Sequence, residues 1–184
     1  MSTACFVAQG SYVKAENCVF GNAGYFSVLL NIGGNYDFRH CTIGNFWSYG
    51  TRSASAVVLN NYYEDIYGAT QIRDLTNAYF GNCILYGSNE DEILLDKYSS
   101  GGIFNFSFDH CLLKTSLSVT GTGFTSCLKN AAPAFTDTTT FNIGSGSAAI
   151  DAGDATITGT IMFDIMGNPR IAGTAPDLGA YEKQ

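Results

Sequence analysis

Four cysteines recur in one short phrase: Asn17-Cys18-Val19-Phe20, His40-Cys41-Thr42-Ile43, Asn82-Cys83-Ile84-Leu85 and His110-Cys111-Leu112-Leu113. A turn-prone residue, a cysteine, any residue and a large apolar one return at intervals of 23, 42 and 28 residues. Self-similarity at this spacing marks a repeat architecture, in which each unit buries its apolar face against its neighbours.

Aligning the phrases sets a register. Before each one, alternate positions read Val13 and Ala15, Tyr36 and Phe38, Ala78 and Phe80, Phe106 and Phe108, with Lys14, Glu16, Asp37, Arg39, Ser107 and Asp109 between them. That is strand alternation, apolar side inward. At Asn17, His40, Asn82 and His110 the parity resets, so that the cysteine and the residue two places later point inward. A reset within one residue needs a sharp corner, and Asn and His are enriched in the left-handed conformation that makes one. Upstream lies a further short strand: Phe6–Gln9, Val28–Asn31, Val57–Asn60 and Ile93–Asp96. Three short strands per repeat around one interior predict an all-β fold, a right-handed parallel β-helix with neighbouring strands about 4.8 Å apart. An antiparallel β-sandwich would suit the composition but leaves the coincidence of corner, cysteine and aromatic positions unexplained.

The predicted helix covers 1–114 in four units. The third carries an insertion over 61–74, and insertions in repeats map to surface loops, often on the binding face. Residues 115–184, where the phrase is lost, are expected to complete and cap the same domain. Met1 to Cys5 has neither the charged nor the apolar segment of a signal peptide. A repeat that begins at Cys5 without a cap suggests part of a longer chain.

At 184 residues with 13 Phe and 11 Tyr, the chain can bury a core without staples. Net charge is -7 and the nine Lys and Arg are scattered, so no basic stripe awaits nucleic acid. No apolar run approaches a membrane span, and no membrane insertion is expected.

Several stretches resemble secreted and cell-surface bacterial β-helix proteins of the pectin-lyase-like fold. They are Leu30–Phe38 running into His40-Cys41-Thr42-Ile43, Leu59–Tyr63, and Asn82–Gly87. The ending is similar too: Ala149–Asp154, Asp164-Ile165-Met166-Gly167-Asn168-Pro169-Arg170 and Pro176–Glu182. The resemblance implies an extracytoplasmic protein with a polysaccharide or glycan partner. The wider fold includes pectate lyases, polygalacturonases, adhesins and autotransporter passengers, so no single reaction is implied. In the lyases the substrate lies along the first-strand sheet. The matching column here ends in Gln9, Asn31, Asn60 and Asp96, and the insertion supplies Tyr62, Tyr63 and Tyr67. Asn31, Asn60, Asp96 and these tyrosines are the candidate substrate-binding residues. The Asn column would equally serve to satisfy its own backbone. Asp96 and Arg73 are weak catalytic candidates, since the lyase pattern of clustered calcium-binding Asp with a catalytic Arg is not recognisable.

Other chemistry reads as structural. Stacked cysteines keep β-carbons about 4.8 Å apart, whereas a disulfide wants roughly 3.5–4.5 Å, so the four thiols are expected free and buried. A column of sulfurs is no tetrahedron, and no metal site is expected from it. Both histidines sit at corners, leaving none for a triad. Asp37 and Asp109 lie two repeats apart, nearly ~10 Å, at the limit for a glycosidase pair. Lys14 beside Asp37 and Glu16 beside Arg39 suggest surface ion pairs between strands. Asp151, Asp154, Asp164 and Asp177 should hold turns. No cofactor is expected; a calcium site is open to these carboxylates, since that cation prefers several carboxylate and carbonyl oxygens, although their spacing matches no calcium loop. The leading expectation is a carbohydrate-binding or surface-interaction module. A polysaccharide lyase or glycoside hydrolase comes second, and a structural stalk or adhesin segment third.

Overall fold

The computed structural model describes residues 3–184; Met1 and Ser2, part of the start read above for a signal peptide, lie outside the described residues. The chain runs through repeated sets of three short strands. The first unit holds β1 (Ala4–Gln9), β2 (Tyr12–Glu16) and β3 (Val19–Gly21), and the second β4 (Phe26–Asn31), β5 (Gly34–Arg39) and β6 (Thr42–Asn45). The third holds β7 (Val57–Asn60), an inserted pair β8 (Tyr62–Glu64) and β9 (Thr70–Ile72), β10 (Leu75–Gly81) and β11 (Ile84–Gly87). The fourth holds β12 (Ile93–Asp96), β13 (Ser107–Asp109) and β14 (Leu112–Leu113), and β15 (Phe124–Thr125) and β16 (Leu128–Lys129) follow. Corresponding strands pair in parallel, giving three sheets ordered β1-β4-β7-β12, β2-β5-β10-β13-β15 and β3-β6-β11-β14-β16. The molecule is thus all-β with several parallel sheets, and the register is the one the phrases set: Phe38 pairs with Ala15 and Phe80, and Ile84 with Thr42 and Leu112.

One core takes side chains from all three sheets, among them Leu30 and Leu59, Phe38 and Phe80, and Ile43 and Leu85. Parallel register puts like on like. Phe38, Phe80, Phe108 and Phe124 stack face to face, with successive ring centroids 5.1, 5.0 and 5.4 Å apart. The thiols form the neighbouring column. All are free, and each turns back to a nearby backbone carbonyl, as Cys41 Sγ does to Arg39 O at 3.3 Å and Cys83 Sγ to Gly81 O at 3.2 Å. Burial pushes the Cys83 thiol well above its ordinary pKa. Cys41, Cys83 and Cys111 are fully buried, whereas Cys18 is only half-buried because its strand forms the edge of its sheet.

The corners are left-handed as expected: φ is 52° at Asn17, 49° at His40, 51° at Asn82 and 48° at His110. A fifth corner corrects the reading that the phrase ends before Thr115. Ser126 takes φ 48° just before Cys127, which extends the thiol column. Serine there hid the repeat. The outward charges also pair differently from expectation. Lys14 and Glu16 close a 2.7 Å bridge along their own strand, and Arg39 and Asp37 one of 2.9 Å along theirs. Side chains two apart share a face and direction, so each pair closes within its own strand even though Lys14 pairs in register with Asp37.

Residues 131–184 add no strand to the three sheets. They fold back along the outside of the third one, where Ile84-Leu85 of β11 and Leu112-Leu113 of β14 are apolar on both faces. Outward Ile84 and Leu112 pack with Ile143, Ala149 and Leu178, and the Phe141 ring lies on Gly21 and Gly44, where a Cβ would meet it at 2.4 and 2.2 Å. The corner side chains hold this tail. Asn17 Nδ2 donates to Phe163 O at 2.7 Å; Asn82 Nδ2 donates to Asp154 O at 2.8 Å, and Asn82 Oδ1 accepts from Asp154 N at 2.8 Å. His40 Nε2 meets Thr158 Oγ1 at 2.9 Å, on the short helix α1 (Ala155–Thr158). The tail's carboxylates hold turns. Asp151 accepts from Thr174 N and Ala175 N, Asp164 from Met166 N, Asn168 N and Glu182 N, and Asp177 from Asp151 N and Lys183 N. Arg170, 1% exposed, lies among Asp164, Asp177 and Glu182 and donates to Gly179 O and Ala180 O.

Two expectations follow. Native thiol labelling should modify exposed Cys5 first and half-buried Cys18 and Cys127 next, with Cys41, Cys83 and Cys111 reacting only as the protein unfolds; equal rates for all six would refute the register. Burial, and after it the Arg170 guanidinium, lowers the His40 pKa from 6.5 to about 3. The unfolded chain therefore binds a proton at His40 that the folded chain refuses. The stability involved is fully present above 6.5 and falls away as pH drops toward 3. His40→Asn keeps a corner-compatible residue without the titration. Between about pH 6 and pH 4, urea unfolding should show the advantage of wild type over this variant shrinking by roughly 1.4 kcal/mol per unit. Parallel pH curves would contradict it.

Candidate functional site

The candidate residues gather where the first sheet ends and the inserted hairpin leaves it. Along this sheet the outward residues are Val7, Leu29, Val58 and Leu94, in register and apolar. At the ends of these strands stand polar groups, Gln9, Asn31, Asn60 and Asp96, of which Gln9 pairs with Asn31 and Asn60 with Asp96. The chain then turns through Ile32, whose φ of 63° is rarely adopted by a β-branched residue. Two amides hold that corner: Ile32 N donates to Asn31 Oδ1 at 2.9 Å and to Asn60 Oδ1 at 3.4 Å. Asn60 Oδ1 also accepts from Tyr62 N at 2.9 Å, and its Nδ2 donates to Asp96 Oδ2 at 3.0 Å. Buried Asn60 is thus fully engaged with its own surroundings, and Asn31 serves the same corner.

The insertion is an antiparallel hairpin, with Tyr62 opposite Ile72 and Tyr63 opposite Gln71. Asp65 closes its turn by accepting from Tyr67 N at 2.9 Å and Ala69 N at 3.0 Å. Buried Asn61 fixes its base, since Arg73 N donates to Asn61 O at 2.8 Å and Tyr98 N to Asn61 Oδ1 at 2.8 Å. Tyr62 leans over the sheet end. Its hydroxyl donates to Asp96 at 3.0 and 3.2 Å, and its ring lies 5.2 Å from that of Tyr98. The Asp96 carboxylate, hydrogen-bonded to the phenol, holds the Tyr62 pKa above its ordinary value. Tyr63 carries Arg73 over its ring at 5.3 Å, and Arg73 also donates to the Tyr63 hydroxyl at 3.1 Å. Tyr67 and Ile66 stand at the tip, 88% and 91% exposed.

Beside the hairpin lies an open groove of about 360 Å³, bordered by Arg73, Asp74, Thr76, Asn35 and Tyr12. Tyr12 and Tyr98 are the aromatic members that sequence reasoning missed. Tyr98 was within reach of it, two places after Asp96 on the same strand exit. Tyr12 lies in the first unit, and no local pattern ties it to Arg73.

Asp96 and Arg73 are not brought together: no ion pair or hydrogen bond joins them among the described residues. Asp96 is committed to Tyr62 and Asn60, and Arg73 to Tyr63 and the Ile72 carbonyl at 2.8 Å. No group of three or more His, Cys, Asp or Glu is placed to hold a metal ion among the described residues. What the arrangement offers is aromatic faces with fixed amide, carboxylate and guanidinium groups beside them. A scan against protein-family models finds no match, and searches of the curated proteins and of the solved structures find none either.

The Tyr62–Asp96 contact can be read in solution. Spectrophotometric titration of Asp96→Asn should show one tyrosine ionising at lower pH than in wild type, because the carboxylate that opposes the phenolate is gone. Superimposable titration curves would show that the contact does not form.

Proposed function

We propose that the three sheets close around their shared core as a right-handed parallel β-helix of the pectin-lyase-like kind, serving as a secreted or cell-surface bacterial module that binds polysaccharide. The handedness rests on a general rule: parallel strands joined by a crossover connection in one sheet are right-handed in about 98% of cases. The binding reading rests above all on the inserted hairpin, which stacks Tyr63 on Arg73 at the border of the groove and displays Tyr67 at its tip. Aromatic side chains combine an apolar face with polar edges, and the weakly polar C–H faces of sugar rings stack well on such surfaces.

Two observations weigh against the lyase or hydrolase alternative on this stretch of surface. The outward face of the first sheet is apolar rather than lined with acids, and both catalytic candidates already hold partners of their own. Glycan arrays printed with plant, host and microbial polysaccharides provide the test. Wild type should bind at least one neutral or acidic glycan, and Tyr67→Ala should weaken that binding by about tenfold, a change of roughly 1.4 kcal/mol. A folded protein that binds none of them would end the carbohydrate reading.

A further inference from the structure

A second aromatic surface lies away from the hairpin, on the loop that follows β6. The chain has one tryptophan, Trp47, and Trp is among the residues most often buried in large part. Here it is half-exposed, with its ring centroid 5.1 Å from that of Tyr49, which is 83% exposed. Two open cavities flank this pair. One, of about 200 Å³, lies toward Tyr25 and Thr51. The other, of about 280 Å³, lies toward Asn22, Ser48, Thr138 and Thr139. Among the described residues, no charged side chain lines either one.

The loop is held at both ends. At its start, buried Asn45 donates to Ala23 O at 3.0 Å and accepts from Trp47 N at 3.2 Å, and Phe46 N donates to Asn22 Oδ1 at 2.9 Å. At its end, Arg52 donates to Asn45 O at 3.0 Å and to Glu92 Oε2 at 2.8 Å. The Arg52 and Glu92 side chains are 1% and 0% exposed. Desolvating an ion pair makes it weak as a source of net stability, yet a well-bonded pair fixes geometry. In this fold it fixes a loop that displays two large aromatic rings to solvent.

We propose that Trp47 and Tyr49 form a platform for a neutral saccharide, whose pyranose rings stack on the aromatic faces while Ser48, Thr51, Thr138 and Thr139 meet the hydroxyls. The uncharged lining selects the ligand. An anionic chain would find no cation among the described residues that line either cavity, whereas hydroxyls, an amide and ring faces match a neutral sugar. The platform shares only its ligand class with the proposed function and is a separate site from the hairpin.

Because Trp47 is the single tryptophan, its emission reports on this site alone. The probes are neutral β-1,4-linked hexasaccharides of glucose, xylose, mannose and N-acetylglucosamine, titrated into the whole chain. At least one should shift or quench the Trp47 emission in a saturable manner, and Tyr49→Ala should raise the half-saturating concentration by about tenfold. An unchanged far-ultraviolet spectrum would show that this exposed substitution leaves the fold intact. No emission change with any of the four up to about 10 mM, an affinity of no consequence, would overturn the proposal. A saturable change that Tyr49→Ala leaves untouched would also overturn it. The two sites fail separately. If Trp47 responds while Tyr67→Ala has no effect on glycan retention, the platform stands and the hairpin reading falls. If Tyr67→Ala abolishes retention while Trp47 never responds, the hairpin reading stands and the platform falls.

Discussion

The structure depends on a backbone conformation that most residues avoid. At five stacked positions, Asn17, His40, Asn82, His110 and Ser126, a non-glycine residue enters the left-handed region, at a cost of roughly 1–2 kcal/mol for an ordinary side chain. Glycine would make the turn more easily, but it has no side chain to offer the tail. Asn17, His40 and Asn82 each reach out from the corner to an atom of the C-terminal segment. The same residue therefore turns the chain inward and anchors what lies outside, and behind each one a thiol small enough for the narrow space follows.

Much of this was legible because parallel register repeats the same demand at the same place. The alternation of Tyr36 and Phe38, the parity reset at His40 and the small buried residue after it are local patterns, and they predicted strand, corner and column in turn. The fifth unit escaped because a serine, Ser126, stands at the corner where the other four carry Asn or His, although its backbone turns the same way. The path of residues 131–184 escaped for a different reason. Its signal lies not in the tail but in the third strands, where Ile84-Leu85 and Leu112-Leu113 are apolar on both faces and so call for cover on the outside. The Arg52–Glu92 pair joins residues far apart in sequence, and nothing in the neighbourhood of either announces the other.

The candidate site was legible in part. That an insertion of this composition would leave the sheet at Asn60 followed from comparing the spacing of the repeats, and the tyrosines it carries are displayed there. The division of labour within it was not legible. Asn31 and Asn60 turn out to support a strained corner at Ile32, and Asp96 to steady Tyr62, so the polar column braces the surface that the aromatics present. Which amide serves the backbone and which faces solvent depends on hydrogen bonds across units, which an alternation pattern does not encode.

The tail has a consequence for how the molecule comes apart. Stacked repeats behave almost as a one-dimensional array, in which each unit feels only its neighbours and an end can peel away. Residues 131–184 touch the first unit at Asn17 and Gly21, the second at Thr42, the third at Ile84, the fourth at Leu112 and the last at Leu128. A segment that runs the length of the array ties the outermost units to the innermost, so peeling one end also strips the cover from the rest. The tail thereby turns a ladder of separable rungs into one cooperative body.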